Sequence, residues 1–245
     1  MAAVQRHVRK DYGLSEHDSF HHHIQCQEIF IYLMKINITT MAHSENLSVG
    51  VFIDGGYYAK INEGLSAQKL ASRVNVKALF AYLLDYISHN FKIERRLLYI
   101  TEAHYYRGRY RTSEAMRRNL LQSEREFEDT LIENDIIFHY KHLRLAEGGG
   151  VIEKGIDTWF ALDTYEMTLF REFDYVVLIS GDADHEMLAR KLKALKTHTI
   201  LLTWDPAHTG STSKFLSEEA CTHADLNILT ANDANLLRRI TIPLK

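Results

Sequence analysis

VFIDGGYYAK, residues 51–60, puts a carboxylate where an apolar strand meets a pair of glycines. Val51, Phe52 and Ile53 read as the end of a buried strand, and Asp54, Gly55 and Gly56 as the turn that follows. VVLISGDADHEML, residues 176–188, repeats the arrangement: an apolar run, a turn at Ser180 and Gly181, then Asp182 and Asp184. Strands that are apolar throughout, rather than alternating, are those covered on both faces, as in a parallel sheet between helices. These two stretches predict an α/β fold with acids at the ends of its strands.

Outward from them the chain alternates. SVGVFI, RRLLYIT, IIFHYKH, DYVVLIS and THTILLTW read as strands. The segments 66–91, 112–135, 156–173 and 184–196 carry helical apolar spacing, with Thr112 or Ser113 as a cap for the second. A short helix over 213–224 and a last strand over 225–230 complete the pattern. Alternating strands and helices predict right-handed crossovers and a doubly wound sheet. The expected organisation is a mobile N-terminal extension over 1–47, a domain over 48–230 and a C-terminal tail over 231–245. His21, His22 and His23 lie in the extension; adjacent histidines do not by themselves converge on one ion.

With 245 residues, 46% of them hydrophobic, the chain can bury one core of ordinary size. No apolar run reaches the roughly 20 residues that span a bilayer, so no membrane contact is expected. Cys26 and Cys221 give neither a disulfide framework nor metal spacing, which points to a reducing cytoplasm. A formal net charge of -3 argues against coating nucleic acid by bulk charge and leaves room for a local basic patch.

Sites in open α/β sheets form beyond the carboxyl ends of the strands. Asp54, Asp182 and Asp184 belong there, and Asp157 falls in the first turn of the helix that begins near residue 156. Two readings of these acids stand side by side. In one, Asp54 is a turn residue, Asp157 a helix cap, and Asp182 and Asp184 open the next helix. In the other, carboxylates gathered at one edge repel each other and are made tolerable by a cation; hard oxygen donors suit Mg2+ or Mn2+. SGD lacks the flanking glycines of a nucleophile elbow. The Asp182-Ala183-Asp184 run is similar to a phosphatase nucleophile pair, but there the strand runs straight into the first aspartate. Asp163 shares a helical stripe with Ile156, Phe160, Met167 and Phe170, which turns its carboxylate inward and demands a partner.

VFIDGG, EKGIDTWFALD (residues 153–163) and VVLISGDADHEML resemble, in order and spacing, the three signature segments of the NYN domain, a family of the PIN-like ribonuclease superfamily. The helix-then-strand ending SKFLSEEACTHADLNIL is also similar, so the resemblance runs from about 48 to 230. It implies a PIN-like three-layer α/β/α sandwich with a central, mainly parallel sheet. It implies Mg2+- or Mn2+-dependent endoribonuclease activity, with metal-binding or catalytic roles at Asp54, Asp157, Asp182 and Asp184 and a supporting acid at Asp163. Many members carry asparagine where Tyr57 stands here. The alternative is a module on the same fold that grips RNA or a protein without cutting.

HYYRGRYRTSEAMRR, residues 104–118, reads as a loop leaving the same sheet edge. Arg107, Arg109 and Arg111 alternate with small and aromatic residues, a mix that suits single-stranded RNA, though the same run also reads as a solvated loop. Tyr57 and Tyr58 are expected to stack on bases or bond phosphate. Gly148, Gly149 and Gly150 form a loop before Lys154, which stands at a helix start and would attract phosphate. RNA is thus the expected partner, with a homodimer as a further possibility.

Overall fold

Val49, Val51 and Ile53 pack on one side of the first strand and Phe52 on the other, and all four are buried. That strand is therefore a central one. The computed structural model describes residues 46–67, 72–145 and 150–244. The expectations for residues 1–45, including His21–His23, and for Gly148 and Gly149 lie outside the described residues.

In chain order the first elements are β1 (Leu47–Asp54), α1 (Gly55–Ala67), β2 (Ser72–Val74), α2 (Val76–Phe91), β3 (Leu98–Arg109), α3 (Thr112–Arg117), α4 (Leu121–Ile132) and β4 (Ile136–His142). A small hairpin, β5 (Arg144–Leu145) and β6 (Val151–Ile152), leads into α5 (Ile156–Arg171) and β7 (Tyr175–Ile179). Then come α6 (Glu186–Ala194), β8 (His198–Thr203), α7 (Lys214–Glu219), β9 (Thr222–Asp225), α8 (Leu226–Asn232), α9 (Ala234–Ile240) and β10 (Thr241–Pro243).

The main sheet has the order β4-β3-β1-β7-β8-β9, and each neighbouring pair is parallel. On one face Val51, Ile53, Tyr105, Val177 and Ile200 meet α1, α2, α4, α8 and α9. On the other, Phe52, Tyr106, Val176, Leu178 and Leu201 meet α5, α6 and α7. This is the PIN-like three-layer sandwich. Helix α2 shows how it is held: Val76, Leu79, Phe80, Leu83, Leu84 and Ile87 form one buried stripe at helical spacing. Truncating the fully buried Leu83 to alanine would cost about 2–5 kcal/mol.

Several expectations are corrected. The supposed turn at Gly55–Gly56 is the start of α1, and the segment 66–91 is divided by β2, after which the Asn75 side chain accepts from the Ala78 amide and caps α2. The helix over 112–135 is two, broken near Asn119, whose φ is 55°. Arg111, not Thr112 or Ser113, holds the cap position. The last strand of the main sheet is β9 at 222–225; residues 226–230 are helical because the Asp225 side chain accepts from the Asn227 amide at 2.8 Å. Residues 231–243 are no loose tail. Leu236 and Ile240 are buried, and β10 pairs antiparallel with β2.

Candidate active site at the carboxyl edge of the sheet

Strands β1 and β7 are neighbours, with Ile53 paired to Ile179, so Asp54 and the turn that begins at Ser180 emerge side by side. Asp54 is 9% exposed. Its Oδ1 accepts from the Gly56 amide at 2.9 Å and the Tyr57 amide at 3.1 Å, two of the free donors of the α1 N-terminus. Gly55 lets the start of α1 lie against β3, since a Cβ there would lie 2.6 Å from the Tyr106 carbonyl oxygen. Oδ2 of Asp54 accepts from the Ser180 hydroxyl at 3.0 Å. A carboxylate has about four acceptor sites. Three are filled, and one on Oδ2 remains.

Asp182 and Asp184 follow on the exposed rim. Asp182 opens a 3-10 turn over Ala183–His185, its Oδ1 accepting from the Asp184 amide at 3.0 Å. Helix α5 starts at the same edge after Gly155, which sits at φ 78°. Asp157 is in its first turn and exposed at the rim. Its carboxyl is nonetheless held above the usual carboxylate range, first by partial burial and then by the negative charges of Asp54, Asp182 and Asp184, with His185 pulling the other way. Acids from three distant segments therefore act on one another through space.

Asp163, one and a half turns further along α5, is half-buried and accepts from the Tyr106 hydroxyl at 3.3 Å, the partner its position demanded. The buried stripe of α5 is Ile156, Phe160, Thr164 and Thr168, one step round from the expected one, and Phe170 is 73% exposed. Behind Asp163 the Tyr106 ring stacks on His139 at 4.3 Å, and His139 Nε2 meets His104 Nδ1 at 3.0 Å.

The expected RNA contacts divide. Tyr57 and Tyr58 are corrected: they are 3% and 4% exposed and belong to the core. The Tyr57 hydroxyl accepts from the Trp204 amide at 3.0 Å and meets the Thr212 hydroxyl at 2.9 Å, tying α1 to the loop after β8. Tyr58 packs edge-on to Tyr105. Arg107 and Arg109 lie within β3, not in a loop. Arg109 is held by Glu128 at 2.7 Å and Glu124 at 3.4 Å, with its guanidinium over the Tyr140 ring, so its charge is already matched. Arg107 is half-buried beside the Tyr105 hydroxyl. Arg111 and Lys154 are exposed. Lys141 was not anticipated; a Cβ at Gly155 would lie 2.8 Å from its ammonium, which places it at the α5 start. The sequence signal for it was only its position at the end of a strand.

The donors Asp54, Asp157, Asp182 and Asp184 offer oxygen alone, which suits Mg2+ or Mn2+. Among the described residues no three His, Cys, Asp or Glu side chains stand ready to close on one ion. Mg2+ ordinarily keeps several waters and takes one or two carboxylates directly. The set fits a hydrated ion reached partly through water, and does not fit a preformed cage.

The family model described as NYN domain matches residues 48–227 of the chain. No curated protein and no solved structure matches it.

Proposed function

The chain belongs to the NYN domain family, whose members are generally nuclease-like, and from that premise we propose that it is a metal-dependent endoribonuclease cleaving RNA phosphodiester bonds at the carboxyl edge of its sheet. One observation carries this reading: the pairing of β1 with β7 sets Asp54 beside the turn that bears Asp182 and Asp184, at the edge where α5 begins with Asp157 in its first turn. Negative charge gathered from three segments creates a field that favours a divalent cation.

Asp54, through its remaining Oδ2 site, and Asp157, Asp182 and Asp184 would hold Mg2+ or Mn2+. A bound ion of this kind supplies an acidified water and charge to neutralise phosphoryl oxygens. The chain's own residues do the rest. The α1 amides and Ser180 fix Asp54 in one orientation. Lys154 and Lys141, at the start of α5 beside Asp157, would offset the repulsion of an RNA backbone by the acidic rim, and exposed Arg111 beyond β3 would add a further phosphate contact. Tyr106 holds Asp163, on the same helix as Asp157, as a supporting acid.

A second reading, an RNA- or protein-binding module that does not cut, is favoured by the lack of a closed three-ligand set among the described residues. The test is to incubate the protein with single-stranded and structured RNA in Mg2+, Mn2+ or EDTA, beside Asp182→Asn. Asp182 is exposed, so the variant folds. The nuclease reading expects cleavage with either ion, none in EDTA, and a loss of at least about 100-fold in the variant. Full activity in Asp182→Asn or in EDTA refutes it. Binding without product selects the second reading.

A further inference from the structure

Resting on the reading above, we propose that His185 is a positioning residue: through Ser180 it fixes the Asp54 carboxylate in the orientation that receives the ion. The argument is a count of protons. Ser180 is fully buried, and its Oγ lies 3.0 Å from Asp54 Oδ2, 2.9 Å from His185 Nδ1 and 3.2 Å from the Asp182 amide nitrogen. An ionised carboxylate only accepts, so the one hydroxyl proton of Ser180 goes to Asp54. The two lone pairs of Oγ are then left to accept, and the Asp182 amide takes one. His185 Nδ1 must fill the other as a donor. Nδ1 therefore carries a hydrogen, and the chain of bonds runs one way, from imidazole to serine to aspartate.

The other end of the ring has no partner. His185 is 1% exposed, and its Nε2 is buried without a hydrogen bond. The ring lies against Phe160 of α5, centroids 4.4 Å apart. Phenylalanine would suit such surroundings better, since it would leave no unpartnered nitrogen. What histidine adds is the Nδ1–H bond alone. It also joins two parts of the site: by packing on Phe160 it holds the helix that carries Asp157, and through Ser180 it holds Asp54.

Two substitutions separate this role from packing. His185→Phe keeps the ring and loses the donor. His185→Asn loses the ring but sets its side-chain amide where Nδ1 was. In metal-free protein, nitrogen NMR of the His185 ring is expected to find the proton on Nδ1; a bare Nδ1 overturns the proposal. Mn2+ affinity, measured by calorimetry on each protein, is expected to fall about 10–100-fold in His185→Phe, the range for groups that orient ligands. It is expected to be mostly restored in His185→Asn, while the thermal midpoint of His185→Phe stays at or above the wild type. Unchanged Mn2+ affinity in His185→Phe, or weaker binding in His185→Asn than in His185→Phe, overturns it. Wild-type Mn2+ binding no tighter than that of Asp182→Asn removes the metal reading itself; the ring proton still reports separately whether the bond exists.

Discussion

Ser180→Ala tests the geometry of the site without any ligand. The substitution removes one hydroxyl from a fully buried position and with it three hydrogen bonds. A bond to a charged group contributes about 1.5–3 kcal/mol, and leaving the His185 Nδ1–H buried without an acceptor costs a further ~1–3 kcal/mol. Asp54 keeps its bonds from the Gly56 and Tyr57 amides, so its charge is not abandoned and the low end of the sum applies. The expected loss is about 3 kcal/mol, or roughly 6–12 °C in Tm for a domain of this size. Urea unfolding followed by circular dichroism at pH 7 in EDTA measures it. A double-mutant cycle with Asp54→Asn then isolates the Ser180–Asp54 bond, which should couple the two sites by about 1.5 kcal/mol or more. A loss in Ser180→Ala below about 1 kcal/mol, or additive effects in the cycle, would show that the hydroxyl does not hold the aspartate.

Tyr57→Phe should lower stability by about 1–2 kcal/mol, because the Trp204 amide loses its acceptor, and leave RNA affinity in filter binding unchanged. Asp157→Asn should alter the pH dependence of folding in a defined direction. A carboxyl raised in the folded state contributes stability that is full below its unfolded pKa of about 3.9 and is lost as pH rises through the folded value. The variant lacks that loss, so its urea midpoint relative to wild type should climb between about pH 3.5 and pH 7 in EDTA; a flat difference would mean that the acids do not sense one another. Arg109→Ala should cost stability through Glu124, Glu128 and Tyr140 with little change in RNA binding. Lys154→Ala should weaken RNA binding and reduce the slope of log affinity against log salt by about 0.7, the value for one phosphate contact on a single strand.

The strands were legible because burial on both faces leaves an unbroken apolar run, and the acids were legible because each stands directly after a strand or at a helix start. What failed was local chemistry that competes with period. Asp54-Gly55-Gly56 reads as a turn, since glycine weakens a helix, yet the Asp54 carboxylate captures the first amides and starts α1 at once. Asp225 does the same for α8. The α5 stripe was misread because its core face contains Thr164 and Thr168, polar residues that apolar counting skips; the Thr168 hydroxyl is satisfied by donating to the Thr164 carbonyl oxygen. The pinning of Arg109 in β3 depends on two glutamates of α4, a pairing no local pattern reveals.

Crowded acids were expected to need a cation, and the hydrogen bonds alter that premise. Asp54 is the buried member, and its charge is met by two amide dipoles and a hydroxyl, groups fixed by the fold itself. Asp157, Asp182 and Asp184 are exposed, where water screens them. Two like charges about 5 Å apart in water repel by only ~1 kcal/mol, a load that a folded domain bears. The protein thus compensates its buried acid internally and leaves the three exposed ones largely to solvent. On the proposed reading, stability of the metal-free fold depends on the bonds to Asp54, and attraction for a cation on the three exposed acids together with the remaining Oδ2 site of Asp54. Ion binding need not be consumed in folding the chain, and its full free energy remains available at the sheet edge where RNA would be held.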